Sequence, residues 1–307
     1  MSGRAGNVRG GRGAALLSGF LMLLAVSGSR AAEEENGALG LFQMIARAEL
    51  VVRVRVKEGS LKYAFVDVLD SIKGVAPLPR LRIAFRDFNW HRRPGVDPIV
   101  FVNGTEEILF LTPASEAGSK PKNRDLFELF RGAEGRTTLP AEGAASTVAN
   151  LKRLAVLTSV DPTAQMEGLW GLVSDADPRL QETALDELLR LRAPAESRLG
   201  ALQEVLRSPS PGLRDRALRM IGDAFAAGVG GGRPEAAVDD LRSTLDSVQE
   251  RARNDSDEPV RVTAVRALAL WPRRSDVEPE LRAIAATDPA QSVRYEAQRA
   301  LITPRSR

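Results

Sequence analysis

The chain has 307 residues, room for about two domains. It contains no cysteine, which excludes disulfides, thiolate catalysis and cysteine-based zinc sites, and a single histidine, which leaves a Ser-His-carboxylate triad one place to form. Its net charge is +3, but four of its 43 basic residues (Arg4, Arg9, Arg12 and Arg30) lie in residues 1–32, beside no acid. The rest carries 39 basic against 40 acidic residues, which excludes a strongly cationic mature domain suited to a phosphate backbone, so no nucleic-acid partner is expected.

Residues 1–31 read as a secretory signal peptide. Three arginines precede a 15-residue apolar run, Ala14 to Gly28, and Ser29-Arg30-Ala31 sets small residues at −3 and −1 of a cleavage point before Ala32. The run falls short of the ~20 residues that cross a bilayer, so the mature chain is expected to have no membrane span. The expectation is a bacterial exported protein, periplasmic or extracellular. Glu33-Glu34-Glu35 then reads as a solvated acidic run.

Residues 32–131 are expected to form a small antiparallel β-barrel with an N-terminal helix. Leu39 to Ala48 has helical spacing and caps one end. Leu50, Val52, Val54 and Val56 alternate with Val51, Arg53, Arg55 and Lys57. Tyr63 to Val68 follows a Gly59-Ser60 turn, and Leu81, Ile83 and Phe85 alternate with Arg82, Ala84 and Arg86. Two apolar runs flank Asn103-Gly104, the strongest short hairpin signal, because both positions take φ > 0 cheaply. A last run spans Leu126 to Phe130. Five or six short strands punctuated by Gly and Pro suit a barrel or sandwich.

Residues 132–147 show no period and read as a linker. From 148 to 307 the texture is helical. Aligning Leu180, Leu213, Val260 and Val293 brings Ala184, Ala217, Ala264 and Ala297 to offset four, Leu185, Leu218, Val265 and Gln298 to offset five, and Leu188, Ile221, Leu268 and Leu301 to offset eight. These offsets form one helix stripe, and the small residue lets another helix approach closely. Each copy opens on a helix start: Asp177-Pro178, Ser210-Pro211, Glu258-Pro259 (where Asp257 is the better cap) and Asp288-Pro289. The alanines are 33, 47 and 33 residues apart, and the Gly-rich stretch at 226–234 supplies the surplus. A partner helix fits within each period, as at Leu199/Leu202/Val205/Leu206. About four such pairs cannot bury their apolar faces alone, so an α-solenoid is expected.

The string D-x-x-P-V-R-x-x-A-x-x-A-L at Asp255–Leu268, with its relatives, resembles HEAT-type repeats, in particular the short bacterial kind of the bilin lyases. The resemblance spans about 163–303 and departs at Gln181, where the family has Arg, and at Gln298. It implies an all-α solenoid in which Arg214, Arg261 and Arg294 form a structural ladder, each bonding an Asp or a carbonyl of the adjacent layer. The other reading is a row of cations gripping an acidic partner. More loosely, the helix running into AELVVRVRV, then VLDSIKG and EILFLTP, resembles an OB-like barrel of bacterial exported proteins, similar to the netrin and metalloproteinase-inhibitor module. The cysteine through which those inhibitors chelate metal has no counterpart in this chain.

The most site-like stretch is Arg86 to Gly95, with Trp90, His91, Arg92 and Arg93: an aromatic, basic loop that either clamps an anionic or sugar ligand or caps a barrel end. No G-x-S-x-G, H-E-x-x-H or Walker loop occurs, and AAGVGGGRP lacks a preceding strand and a following Lys. No catalytic residue, metal site or cofactor is expected. The function expected is a non-catalytic protein-interaction or scaffolding role with a protein partner. The alternatives are a HEAT-type lyase or a barrel that binds a small ligand or a protease.

Overall fold

The computed structural model describes residues 39–60, 63–84, 100–114, 125–139, 142–227 and 236–303. The signal-peptide reading and the acidic run at 33–35 lie outside them.

Helix α1 (Leu41–Arg47) buries Phe42, Met44 and Ile45 and ends where Lys73 Nζ donates to the carbonyls of Ile45, Ala46 and Ala48 at 2.7–2.8 Å. A cation on those open carbonyls suits a helix C-terminus. Five strands then close a barrel: β1 (Leu50–Gly59), β2 (Tyr63–Lys73), β3 (Arg80–Ala84), β4 (Glu106–Pro113) and β5 (Leu126–Leu129). They pair in the ring β1-β2-β3-β5-β4, and β1 meets β4 to close it. Alternation fills the interior: Leu50, Val52, Val54 and Val56 of β1 cluster with Ala64, Val66, Leu81, Ile83, Leu109, Leu111, Phe127 and Leu129. Closure removes the exposed edges that an open sheet would carry.

Three details differ from the sequence reading. First, the sheet is not wholly antiparallel: β3 and β5 run parallel, Arg82–Ala84 beside Leu126–Glu128. They can do so because β4 intervenes in the chain and β5 enters with β3's direction. Second, the Asn103-Gly104 turn does not join two strands. Gly104 has φ +85°, while Asn103 keeps an ordinary φ, so this is not the hairpin turn with two left-handed residues. Its first arm leaves the ladder instead. Phe101 is buried in the barrel cluster and sits so close to Gly59 that a β-carbon there would come within 2.8 Å of the Phe101 carbonyl oxygen. Third, residues 132–147 are not featureless. A 3-10 turn (Gly132–Gly135) leads into β6 (Arg136–Thr138), which pairs with Glu107–Leu109. β5 covers only Leu111–Pro113 on that edge of β4, and β6 occupies the remainder.

The helical half comprises α2 (Ala144–Leu157), α3 (Pro162–Val173), α4 (Pro178–Leu191), α5 (Leu199–Val205), α6 (Pro211–Ala227), α7 (Ala236–Asn254), α8 (Glu258–Ala269), α9 (Arg274–Thr287) and α10 (Gln291–Ile302). From α3 onward they form two columns. Helices α4, α6, α8 and α10 stack consecutively in one, and α3, α5, α7 and α9 in the other. Ala184, Ala217, Ala264 and Ala297 are all fully buried, as are Leu185, Leu218 and Val265; Gln298, at the same offset in α10, is exposed. Asp177 and Asp257 cap α4 and α8 through backbone N–H groups. Helix α10 starts at Gln291, past the Asp288-Pro289 signal but two residues before its stripe residue as in α4, α6 and α8. Asp288 stands five before Val293, the turn position that Asp255 holds before Val260, and accepts the Ala290 N–H.

The barrel docks on the first helices. Helix α2 packs on β2 and α1, and α1 reaches α4. Lys152 Nζ donates to Asp70 at 2.9 Å, and Gln43 Nε2 donates to Glu187 at 2.8 Å.

Candidate functional site

Each helix of the α4 column is entered through a turn of one design. Five residues before the first stripe residue stand Asp175, Ser208, Asp255 and Asp288. Each accepts, through its side-chain oxygen, the backbone N–H two residues on: Asp177 at 2.9 Å, Ser210 at 3.2 Å, Asp257 at 3.0 Å and Ala290 at 2.8 Å. Such short-range bonds favour a turn over continued helix. The carbonyl of the same residue is taken by the side chain just after the first stripe residue. Gln181 donates to Asp175 O, Arg214 to Ser208 O, Arg261 to Asp255 O and Arg294 to Asp288 O, at 2.6–2.9 Å.

The arginines also reach across layers. Arg214 Nε and Nη2 donate to the two carboxylate oxygens of Asp255, both at 2.8 Å. Arg261 repeats the fork on Asp288 at 3.0 and 3.3 Å. Arg214, Arg261, Asp255 and Asp288 are at most 9 % exposed, so these are buried, bidentate charge pairs with most polar positions filled. Burial alone would raise the Asp255 carboxyl; the Arg214 hydrogen bonds and the Asp257 N–H outweigh it and hold the group below its ordinary value. Asp175 is also held low, chiefly by Arg153 of α2, which donates at 2.6 Å. Arg214 and Arg261 thus occupy layer boundaries. Arg294 has its Nη1 on the carbonyls of Asp288 and Pro289, and among the described residues no carboxylate meets its other edge.

A second, wetter set of rungs joins the same helices. Arg216 bonds Asp186 and Glu182, Thr263 donates to Asp215 at 2.6 Å, Ser292 meets Glu258, and Arg266 bonds Glu296 at 3.1 Å. In the other column a cavity of about 330 Å³ opens between α5 and α7, lined by Leu206 and by the charges of Arg207, Asp246, Glu250 and Arg251.

The barrel holds one group that the sequence reading missed. Glu107 is 1 % exposed, and its Oε2 has no hydrogen-bond partner. Its Oε1 accepts from Thr105 Oγ1 at 3.3 Å and faces Arg136 Nη2 at 3.4 Å. Arg136 stacks over the Phe101 ring and donates to Val100 O. Burial raises the Glu107 carboxyl above its ordinary value, and Arg136 opposes the shift only in part. The signal was present: Glu107 shares the register of Leu109 and Leu111, which places it inward. The Asp255–Arg214 pairing was signalled more faintly, by the Asp-x-Asp spacing at 175/177 and 255/257.

Trp90, His91, Arg92 and Arg93 lie outside the described residues. Among those described, no group of three or more His, Cys, Asp or Glu side chains is placed to hold a metal ion, and no helix is long and apolar enough to cross a membrane.

No protein-family model matches the chain, and no curated protein matches it. Solved structures do. The complex of CpcE and CpcF of phycocyanin lyase from Nostoc sp. PCC7120 is similar over 51 % of this chain and 90 % of that chain, at 15 % identity and a TM-score of 0.39. Two engineered proteins are similar over 51 % of this chain, each at 19 % identity and a TM-score of 0.35, covering 72 % and 44 % of their own lengths.

Proposed function

We propose that this chain is a non-catalytic scaffold of HEAT type that binds a protein partner along its helical stack, carries an OB-like barrel docked at one end, and works outside the cytosol. The observation that carries the reading is where the repeated charges are spent. Arg214 and Arg261, the side chains that the repeat writes again and again, are buried between layers and paired with Asp255 and Asp288. They serve the stack, and recognition falls to the exposed helix faces that a layered architecture extends. The ring order β1-β2-β3-β5-β4 supports the OB-like reading. The Arg-led apolar run at residues 14–28 supports export.

The test is capture from envelope extract on immobilised full-length mature chain. A retained protein should be lost after charge reversal of exposed stack residues, such as Arg219→Glu with Arg282→Glu, and kept after reversal of Arg80 on the barrel. Capture that depends on the barrel residue alone would overturn the reading. Fractionation of cells and N-terminal sequencing of the mature chain test the location; an intact N-terminus in the cytosol would remove that part.

A further inference from the structure

The rungs obey a pairing code. Where the donor after the stripe residue is Arg, the receiving position of the next layer is Asp: Arg214 with Asp255, Arg261 with Asp288. Where the donor is Gln181, the receiving position is Ser208. Arg294 has the donor chemistry, and its inner edge is fixed as in the layers before it, on the carbonyls of Asp288 and Pro289, just as Arg214 sits on those of Ser208 and Pro209. Its Nε–Nη2 edge is therefore held in the orientation that grips a carboxylate elsewhere in the stack. The face of α10 around it is exposed and partly apolar, with Tyr295 at 64 % and Ile302 at 78 %.

We infer that the outer face of α10 is a docking surface for another protein, and that the docking element is the N-terminal turn of a helix bearing an Asp, received by Arg294 as Asp255 is received by Arg214. This rests on the reading of the stack as a protein-binding surface and names where and by what chemistry. A second copy of this chain is a poorer occupant. The acceptor of its first stacked layer, Asp175, is already taken by Arg153. A fixed guanidinium fork favours a carboxylate over a neutral amide by charge-assisted, bidentate bonding.

The probe is a hydrocarbon-stapled peptide with the sequence of residues 286–303, which presents Asp288 ahead of a helix, tested against full-length mature chain by fluorescence anisotropy. Arg294→Gln is the informative variant, because Gln181 shows that a Gln there keeps the carbonyl bond. The peptide should bind the unmodified chain, and affinity should fall about tenfold or more with Arg294→Gln or with Asn in place of the peptide's Asp288. Equal binding of the Asp and Asn peptides, or no binding, would overturn the inference. So would a concentration-dependent dimer in sedimentation velocity that Arg294→Gln abolishes, which would make a second copy the occupant. A partner captured from extract with undiminished yield by Arg294→Gln sinks this site while leaving the scaffold reading in place.

Discussion

Arg214 and Asp255 are 41 residues apart in sequence, yet the guanidinium fork of one closes on both oxygens of the other inside the protein. The same aspartate also fixes the turn that starts α8, through the Asp257 N–H, and its carbonyl receives Arg261. One side chain thus sets a turn, joins two layers and positions the next rung.

Asp255→Ala leaves Arg214 buried without its counter-charge and should cost about 3–5 kcal/mol of unfolding free energy. At the preceding layer boundary these two positions hold the neutral Gln181 and Ser208, each bonded within its own entry turn, so Arg214→Gln combined with Asp255→Ser removes both buried charges and should recover more than half of that loss. Urea denaturation of the single and double variants checks it.

The spine alanines leave no room for a larger residue. Ala217→Leu or Ala264→Leu should destabilise by about 1–3 kcal/mol through overpacking. Ala227→Leu, at an exposed position of α6, should stay within about 0.5 kcal/mol. Thermal melts of the three variants separate these outcomes.

Acid should loosen the ladder. The folded-state values of Asp175 and Asp255 lie below their ordinary ones, so both contribute stability above the ordinary carboxylate value and lose it as pH falls through the depressed folded value. Unmodified chain should lose stability over that acid window, and Asp255→Asn, weaker at neutral pH, should lose less. A pH series of denaturation midpoints measures the difference.

Glu107 should behave in the opposite sense. Its folded-state value is raised, so its ionisation costs stability at any pH above that value. Glu107→Gln should be more stable than the unmodified chain at neutral pH. The gap should shrink as pH falls through the raised value and vanish below the ordinary one.

The column of alanines was legible because spacing alone records which residues of a helix face inward; Ala184, Ala217, Ala264 and Ala297 needed no knowledge of their partners. Strand β6 was not legible. Arg136-Thr137-Thr138 is short and polar, and it becomes a strand because β4 offers an unpaired edge. The parallel pairing of β3 with β5 depends on the path of the chain between them, which no local pattern encodes. The receiving aspartates were hidden for a related reason: Asp255 and Asp288 look like turn residues until the neighbouring layer brings an arginine to them.

The central claim is that α4, α6, α8 and α10 form one regular stack. The absence of cysteine makes it directly measurable, since spin labels can be placed in pairs without background. Asp186, Arg219, Arg266 and Arg299 occupy the same exposed offset in the four helices. Electron–electron distances from a label at 186 to labels at 219, 266 and 299 should lengthen in order, by about 8–10 Å per layer. A set that fails to lengthen in that order, or that places 299 nearer to 186 than 219 is, would contradict it.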